Sequence, residues 1–161
     1  MRVRNRQSLP VAHYSASGLI LLEWRLMTRL WRSGRVGRVV ARFVRGHIRR
    51  TYGCYISPKS EVGRSVYLPH PIGVVIGDNA VISDGVTIYQ NVTIGQASDA
   101  GVCPRVERNA TIYAGAVVIG AVEVGTGSVV GANAVVRTSI PPGALAVGVP
   151  ARVLERSENT N

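Results

Sequence analysis

The sequence predicts a mainly β protein: a parallel β-helix preceded by a short α-helical segment. Three observations carry this. Ile76, Ile82, Ile88 and Ile94 are six apart, and after a gap of two periods Val106, Ile112, Val118, Val124, Val130 and Val136 continue in the same phase. Three residues after most of them stands Asn or Gly (Asn79, Gly85, Asn91, Asn109, Gly115, Gly127, Asn133), with Ala121 the exception outside the gap. Four residues after stands a small or β-branched residue: Ala80, Val86, Val92, Ala110, Ala116, Val122, Ser128 and Ala134. Gly and Asn tolerate a left-handed backbone, so the second signal marks a bend every six residues. A stiff β-branched side chain at every sixth position marks a short extended segment that faces the same way each time. Short strands and regular bends wind a chain into a solenoid that stacks like on like. No 3.6-residue period runs through the region, which excludes a helix there.

Upstream the repeat continues out of phase. Ile56, Val62 and Leu68 are six apart, but Leu68 to Ile76 is eight. The two surplus residues fall in Leu68-Pro69-His70-Pro71-Ile72-Gly73, where prolines remove backbone donors and stiffen the chain. An irregular corner on a regular scaffold is a place to hold a reactive group, and His70 occupies it. His13, in the lead-in, and His47, on a helix, read as surface or packing residues. Asp78 and Asp84 fall at bends, where Asp is ordinary turn chemistry.

Residues 1–52 are read as a basic helical segment, 53–154 as the solenoid and 155–161 as a tail. The net charge of +10 is confined to one end: residues 1–50 carry twelve Arg and one Glu, and the rest is near neutral. Residues 1–15 read as a mobile lead-in with Arg2, Arg4, Arg6 and Pro10. From about Ser17 to Arg32 the pattern is helical and apolar around most of the circumference, which predicts burial against something. Ser33-Gly34 interrupts it. A second helix is expected over roughly 35–50, with Arg35, Arg38, Arg42, Arg45 and Arg49 on one side and Val36, Val39, Val40 and Phe43 on the other. Three roles fit these helices: a structural cap or oligomer contact, docking of residues 17–50 to an anionic membrane surface, or nucleic-acid binding. No recognised motif supports the last. Two Cys with no CxxC spacing give no disulfide framework and suit a reducing compartment. No run of 18 apolar residues and no secretory signal is read. The expected location is the cytoplasm, with the inner membrane face as the peripheral variant.

The run "YISPKSEVGRSVYLPHPIGVVIGDNAVISDGVTIYQNVTIGQ" resembles the serine acetyltransferases of the hexapeptide-repeat acyltransferase family, as do "VEVGTGSVVGANAVV" and the closing "IPPGALAVGVPARVL". The likeness spans about residues 53–154. It implies a left-handed β-helix, against the usual right-handed rule for parallel crossovers. It also implies a homotrimer with active sites between subunits, and transfer of acetyl from acetyl-CoA to a hydroxyl without metal. His70 falls on the family's catalytic His, the general base.

The family's Asp partner of that His aligns with Tyr55, which is carried as a candidate catalytic residue. The acidic residue before the His aligns with Pro69. An active-site Arg-His pair aligns with Val102 and Cys103. These departures remove the charges that would meet a zwitterionic amino acid. Burying serine's two charges without partners is costly, so the expected acceptor is a sugar or polysaccharide intermediate. The likeness is nearer to serine acetyltransferase-like proteins found with capsule and exopolysaccharide genes. Serine O-acetylation for cysteine biosynthesis and a catalytically silent scaffold are the alternatives. Cys103 and Gln90 are candidate substrate contacts. Tyr89, Gln90 and Asn91 lie one coil along from His70. The likeness places coenzyme A along backbone at Ala114 and Ala132, with Gly95 and Gln96 near the thioester and Arg152 on a phosphate. The same small residues also suit coil packing. The loop Gln96 to Arg105 fills the two-period gap, and its Ala, Ser, Asp and Gly content favours projection from the coil.

Overall fold

The computed structural model describes residues 16–97 and 101–154. The lead-in at 1–15 with its His13, the loop residues 98–100 and the tail at 155–161 lie outside the described residues. Helix α1 (Ala16–Arg32) and helix α2 (Arg35–Tyr52) come first. The first coil holds β1 (Tyr55–Ile56), β2 (Glu61–Val62) and a bridge at Tyr67; the second β3 (Val75–Ile76), β4 (Val81–Ile82) and β5 (Thr87–Ile88). The third holds β6 (Thr93–Gly95), β7 (Arg105–Val106) and β8 (Thr111–Ile112); the fourth β9 (Val117–Ile119), β10 (Glu123–Val124) and β11 (Val129–Val130). The last holds β12 (Val135–Val136), a bridge at Ile140 and β13 (Leu145–Val147), and β14 (Arg152–Leu154) ends the fold. Three sheets result, β1-β3-β6-β9-β12, β2-β4-β7-β10 and β5-β8-β11-β13-β14, parallel except for the last pair. The domain is the left-handed parallel β-helix expected, with two helices before it.

The six-residue signals explain this in detail. All ten in-phase aliphatics from Ile76 to Val136 are buried, and so are all eight residues four places on. Two side chains per face therefore point inward. The seven Asn and Gly markers all have positive φ, between 56° and 74°. Where Ala121 breaks the pattern, Gly120 takes the turn at φ 92°. Gly and Asn also alternate up one corner, as Gly73, Asn91, Gly115 and Asn133, for a packing reason. A Cβ on Gly115 would stand 2.1 Å from Asn133 Oδ1, and one on Gly73 2.2 Å from Asn91 Oδ1. Each Asn amide lies in the space left by the glycine below it.

The register records every irregularity. Val75 pairs with Thr93 and Thr111 with Val129, eighteen residues apart, which is one regular coil. Tyr55 pairs with Val75, twenty apart, so the two surplus residues do leave the coil around His70. Thr87 pairs with Thr111, twenty-four apart, so six residues leave it in the loop after Gln96, as its composition suggested. The last coil is two residues short, with Val129 opposite Leu145. The closing Gly148–Arg152 run turns the chain back so that β14 pairs antiparallel with β13, Val147 opposite Arg152. That return covers a sheet edge, and six-residue periodicity could not announce it.

Helix α1 caps the first coil. Trp24 Nε1 donates to Ser57 O at 3.3 Å, Arg25 Nη2 to Arg64 O at 2.5 Å, and Ser17 Oγ to Leu68 O. These carbonyls belong to different sides of the coil, so the helix lies across its open end. Ile20, Leu21, Trp24 and Met27 complete the core there. The helix is buried against something, as expected, but on one face only: Leu19, Leu22 and Leu26 are 44%, 63% and 50% exposed. A rod across the end of a coil can bury only the face it lays down. Helix α2 runs to Tyr52, two residues beyond the expected end, and stops at Gly53 in the left-handed region, whose N–H reaches Arg49 O at 3.1 Å.

Candidate active site

His70 sits in the surplus segment between the bridge at Tyr67 and β3. Leu68 and Pro71 on either side of it are buried, so the two anchor the corner and the imidazole is left exposed on the outer wall. The N–H of Ile72 closes a tight bend on His70 O at 2.8 Å. The ring of His70 is tilted against Tyr89, with centroids 6.4 Å apart, and Tyr89 stacks on Tyr113 at 5.0 Å. An aromatic column thus climbs from the histidine over two further coils. Tyr113 was not singled out from the sequence, because the six-residue loop insertion hides that it lies one coil above Tyr89. Among the described residues no hydrogen bond or ion pair holds the imidazole.

The other candidates divide between two corners of the coil. Gln90, Ala114 and Ala132 lie at the corner between the third and first sheets, the corner of His70. Gln90 Oε1 is buried there and has no hydrogen-bond partner among the described residues. Gly95 ends β6 at the far end of the first sheet, and Gln96 and Cys103 lie beyond it. A Cβ built on Gly95 meets nothing within 4 Å, so the space beside its Cα is open, while its carbonyl accepts from the Gly120 N–H at 3.1 Å. Cys103 Sγ donates to Asp78 O at 2.6 Å, which ties the returning loop to that corner. Six residues separate the two bends in the second coil, Gly73 and Asn79, which is roughly 20 Å of extended chain. One chain therefore does not bring Gly95, Gln96 and Cys103 to His70. Arg152 is exposed on β14.

Tyr55 is on β1, 41% exposed, and makes no hydrogen bond to His70. The segments are nonetheless neighbours, since Cys54 Sγ donates to Pro71 O at 3.4 Å. Tyr55 lines a small cavity of about 140 Å³ with Arg42, Gly46, Arg45 and Arg49 of α2. The arginine stripe was legible in the sequence, but not that it faces Tyr55. A larger cavity of about 360 Å³ lies between α1 and the first coil, lined by Trp24, Arg25, Thr28, Arg32 and Ser60. It is a seam between cap and coil, away from His70.

The two bend aspartates do structural work. Asp78 Oδ2 accepts from Lys59 Nζ at 2.7 Å and Oδ1 from Ser57 Oγ at 2.6 Å, and these bonds hold its carboxyl below the usual range. Asp84 Oδ1 accepts from the Arg64 N–H at 2.6 Å, with the same effect. Burial pushes the Cys54 thiol up, as suits an inert packing residue. Among the described residues no group of His, Cys, Asp and Glu could hold a metal ion.

A coil of six-residue turns with an exposed histidine at a slipped corner defines a hexapeptide-repeat solenoid with a candidate base on its wall. Residues 103–138 match the model of the bacterial transferase hexapeptide (six repeats). The serine acetyltransferase of Escherichia coli (strain K12) is 36% identical over 141 residues, 86% of this chain and 51% of that protein. The crystal structure of a serine acetyltransferase from Vibrio cholerae O1 biovar El Tor superposes with a TM-score of 0.83 at 34% identity, covering 91% of this chain and 57% of the other. A serine acetyltransferase solved in complex with CoA gives 0.78 at 32%, covering 84% and 55%. The chain carries the transferase hexapeptide repeat and is serine acetyltransferase-like over most of its length. It spans about half the length of the curated relatives it matches.

Proposed function

We propose that the protein is an acetyl-CoA-dependent O-acetyltransferase with His70 as its general base. The observation that carries this is the exposed imidazole at the one place where the coil gains two residues, on a chain similar over most of its length to serine acetyltransferases. An acyl thioester is already activated, so the protein's task is to move a proton. His70 takes the hydroxyl proton as the acceptor oxygen bonds to the acetyl carbon, and returns it to the departing sulfur. Gln90, at the same corner of the coil, has a buried Oε1 with no hydrogen-bond partner among the described residues. Coenzyme A is assigned by the resemblance to Gly95, Gln96, Ala114, Ala132 and Arg152, and the open space beside the Gly95 Cα is compatible with it.

Because Gly95 and Gln96 stand one face away from His70, the reading needs a second copy to bring its own far corner there. A homotrimer with sites between subunits supplies that, and the split between corners supports it. The cytoplasm is the proposed location.

Serine is the acceptor that the relatives' names support, and serine O-acetylation is the leading reading. A second reading, an uncharged sugar hydroxyl, rests on one observation. Pro69, Val102 and Cys103 stand where charged partners for serine are expected, and Tyr55 where the family's Asp partner of the histidine is expected. The test is coenzyme A release with L-serine and with a panel of neutral sugars, each repeated on His70→Ala. Turnover with serine supports the first acceptor and turnover with sugars alone the second. No acceptor-dependent release from the native protein would leave the silent scaffold.

A further inference from the structure

The two helices present a surface that neither the capping of the coil nor acetyl transfer uses. Helix α2 turns Gly37, Ala41 and Ile48 inward. Its outward half leaves Val36 80%, Val39 50%, Val40 42% and Phe43 75% exposed. On α1 the exposed large apolar residues are Leu19, Leu22 and Leu26. At 3.6 residues per turn these two sets flank the same seam. Glu23 of α1 meets His47 of α2 at 3.4 Å across it, and a Cβ on Gly37 would stand 2.2 Å from Leu30 O. The result is one apolar strip along the outer side of the hairpin. Arg29 is exposed beyond its α1 edge and Arg35 beyond its α2 edge, and further round Arg32, Arg42 and Arg49 are exposed while also lining the two cavities against the coil. Residues 17–50 hold nine arginines and one acidic residue, Glu23, which is engaged at the seam.

We propose that this strip docks the protein on an anionic lipid bilayer, with the Leu, Val and Phe side chains entering the interface and the flanking arginines meeting lipid phosphates. The charge argues for this occupant. A second copy laid on the strip would bring two arginine-rich hairpins together with no acidic residues to offset them, whereas an anionic leaflet attracts them. The chemistry argues for it too. Exposed apolar side chains bordered by arginine are the composition of helices that lie in the membrane interface, where the long arginine stems reach the headgroups. No helix among the described residues is long and apolar enough to cross a membrane, so the contact is peripheral. The proposal is independent of the acetyltransferase reading.

The full chain is sedimented with vesicles of phosphatidylcholine alone and of phosphatidylcholine mixed with phosphatidylglycerol. The expected result is binding to the mixed vesicles only, weakened by salt. Phe43→Ser with Leu22→Ser weakens it about tenfold or more at an unchanged melting temperature, from the loss of buried apolar surface. Arg35→Gln with Arg42→Gln weakens it and flattens its salt dependence. Failure to sediment with the mixed vesicles overturns the proposal, as does binding that the Phe43/Leu22 variant leaves intact. A fall in assembly mass for that variant in sedimentation velocity also overturns it, because the strip is then a contact between copies.

Discussion

The solenoid and the helical hairpin treat their apolar residues in opposite ways. In the coil, every in-phase aliphatic from Ile76 to Val136 is buried. In the hairpin, residues of the same chemistry, such as Leu22 and Phe43, stand 63% and 75% exposed. The coil closes on itself, so each coil supplies the partner for the next. The hairpin must borrow a partner, and the coil end accepts one face of α1 and little of α2. A repeat therefore declares its own burial, while an appended helix declares only that it has faces.

The largest effect expected from this contrast is in stability. Ile112→Ala removes a wholly buried side chain from the stacked core and is expected to cost about 2–5 kcal/mol. Leu22→Ala, on the hairpin, should stay within about 0.5 kcal/mol. Denaturant titration of both checks this, and equal losses would break the comparison.

A finer contrast lies within the coil. Gly115→Ala and Gly127→Ala both put a side chain at positive φ, a strain of roughly 1–2 kcal/mol. Only at Gly115 does the new Cβ strike Asn133 Oδ1; at Gly127 nothing lies within 4 Å. Gly115→Ala should therefore be the more destabilising in the same titration. Asn133→Ala should narrow the gap by removing the amide.

The smallest effect is pH-dependent. Asp78 has its folded-state pKa lowered by Lys59 and Ser57. A lowered carboxyl contributes stability that is present above its unfolded pKa of about 4 and is lost as pH falls through the folded value. The group is 41% exposed, so solvent screening keeps the contribution small. Melting temperatures of Asp78→Asn and the native protein should differ near neutrality, begin to converge as pH falls below about 4, and meet below the folded-state pKa.

Much of the coil was legible in the sequence because its signals repeat. Asn79, Gly85, Asn91, Asn109, Gly115, Gly127 and Asn133 marked bends that are all left-handed. The eight-residue step from Leu68 to Ile76 marked the slip that leaves His70 outside. What does not repeat was hidden. β14 returns antiparallel because Gly148–Arg152 turns the chain once. Tyr113 stands over Tyr89 only because six residues leave the coil between them. The exposed Leu19, Leu22 and Leu26 of α1 are as apolar as its buried Ile20, Leu21 and Met27, so hydropathy did not distinguish them. For the candidate site the sequence offers residues but no arrangement: Gly95 and His70 lie at different corners of the chain.

The central claim is that His70 moves the proton in acetyl transfer. The direct measurement is acceptor-dependent coenzyme A release by native protein and His70→Ala, with melting temperature recorded for both. Because the ring is exposed and holds no hydrogen bond or ion pair among the described residues, the variant should melt where the native protein does and lose about 10²–10⁴ in rate. A variant equally stable and equally active would contradict the account.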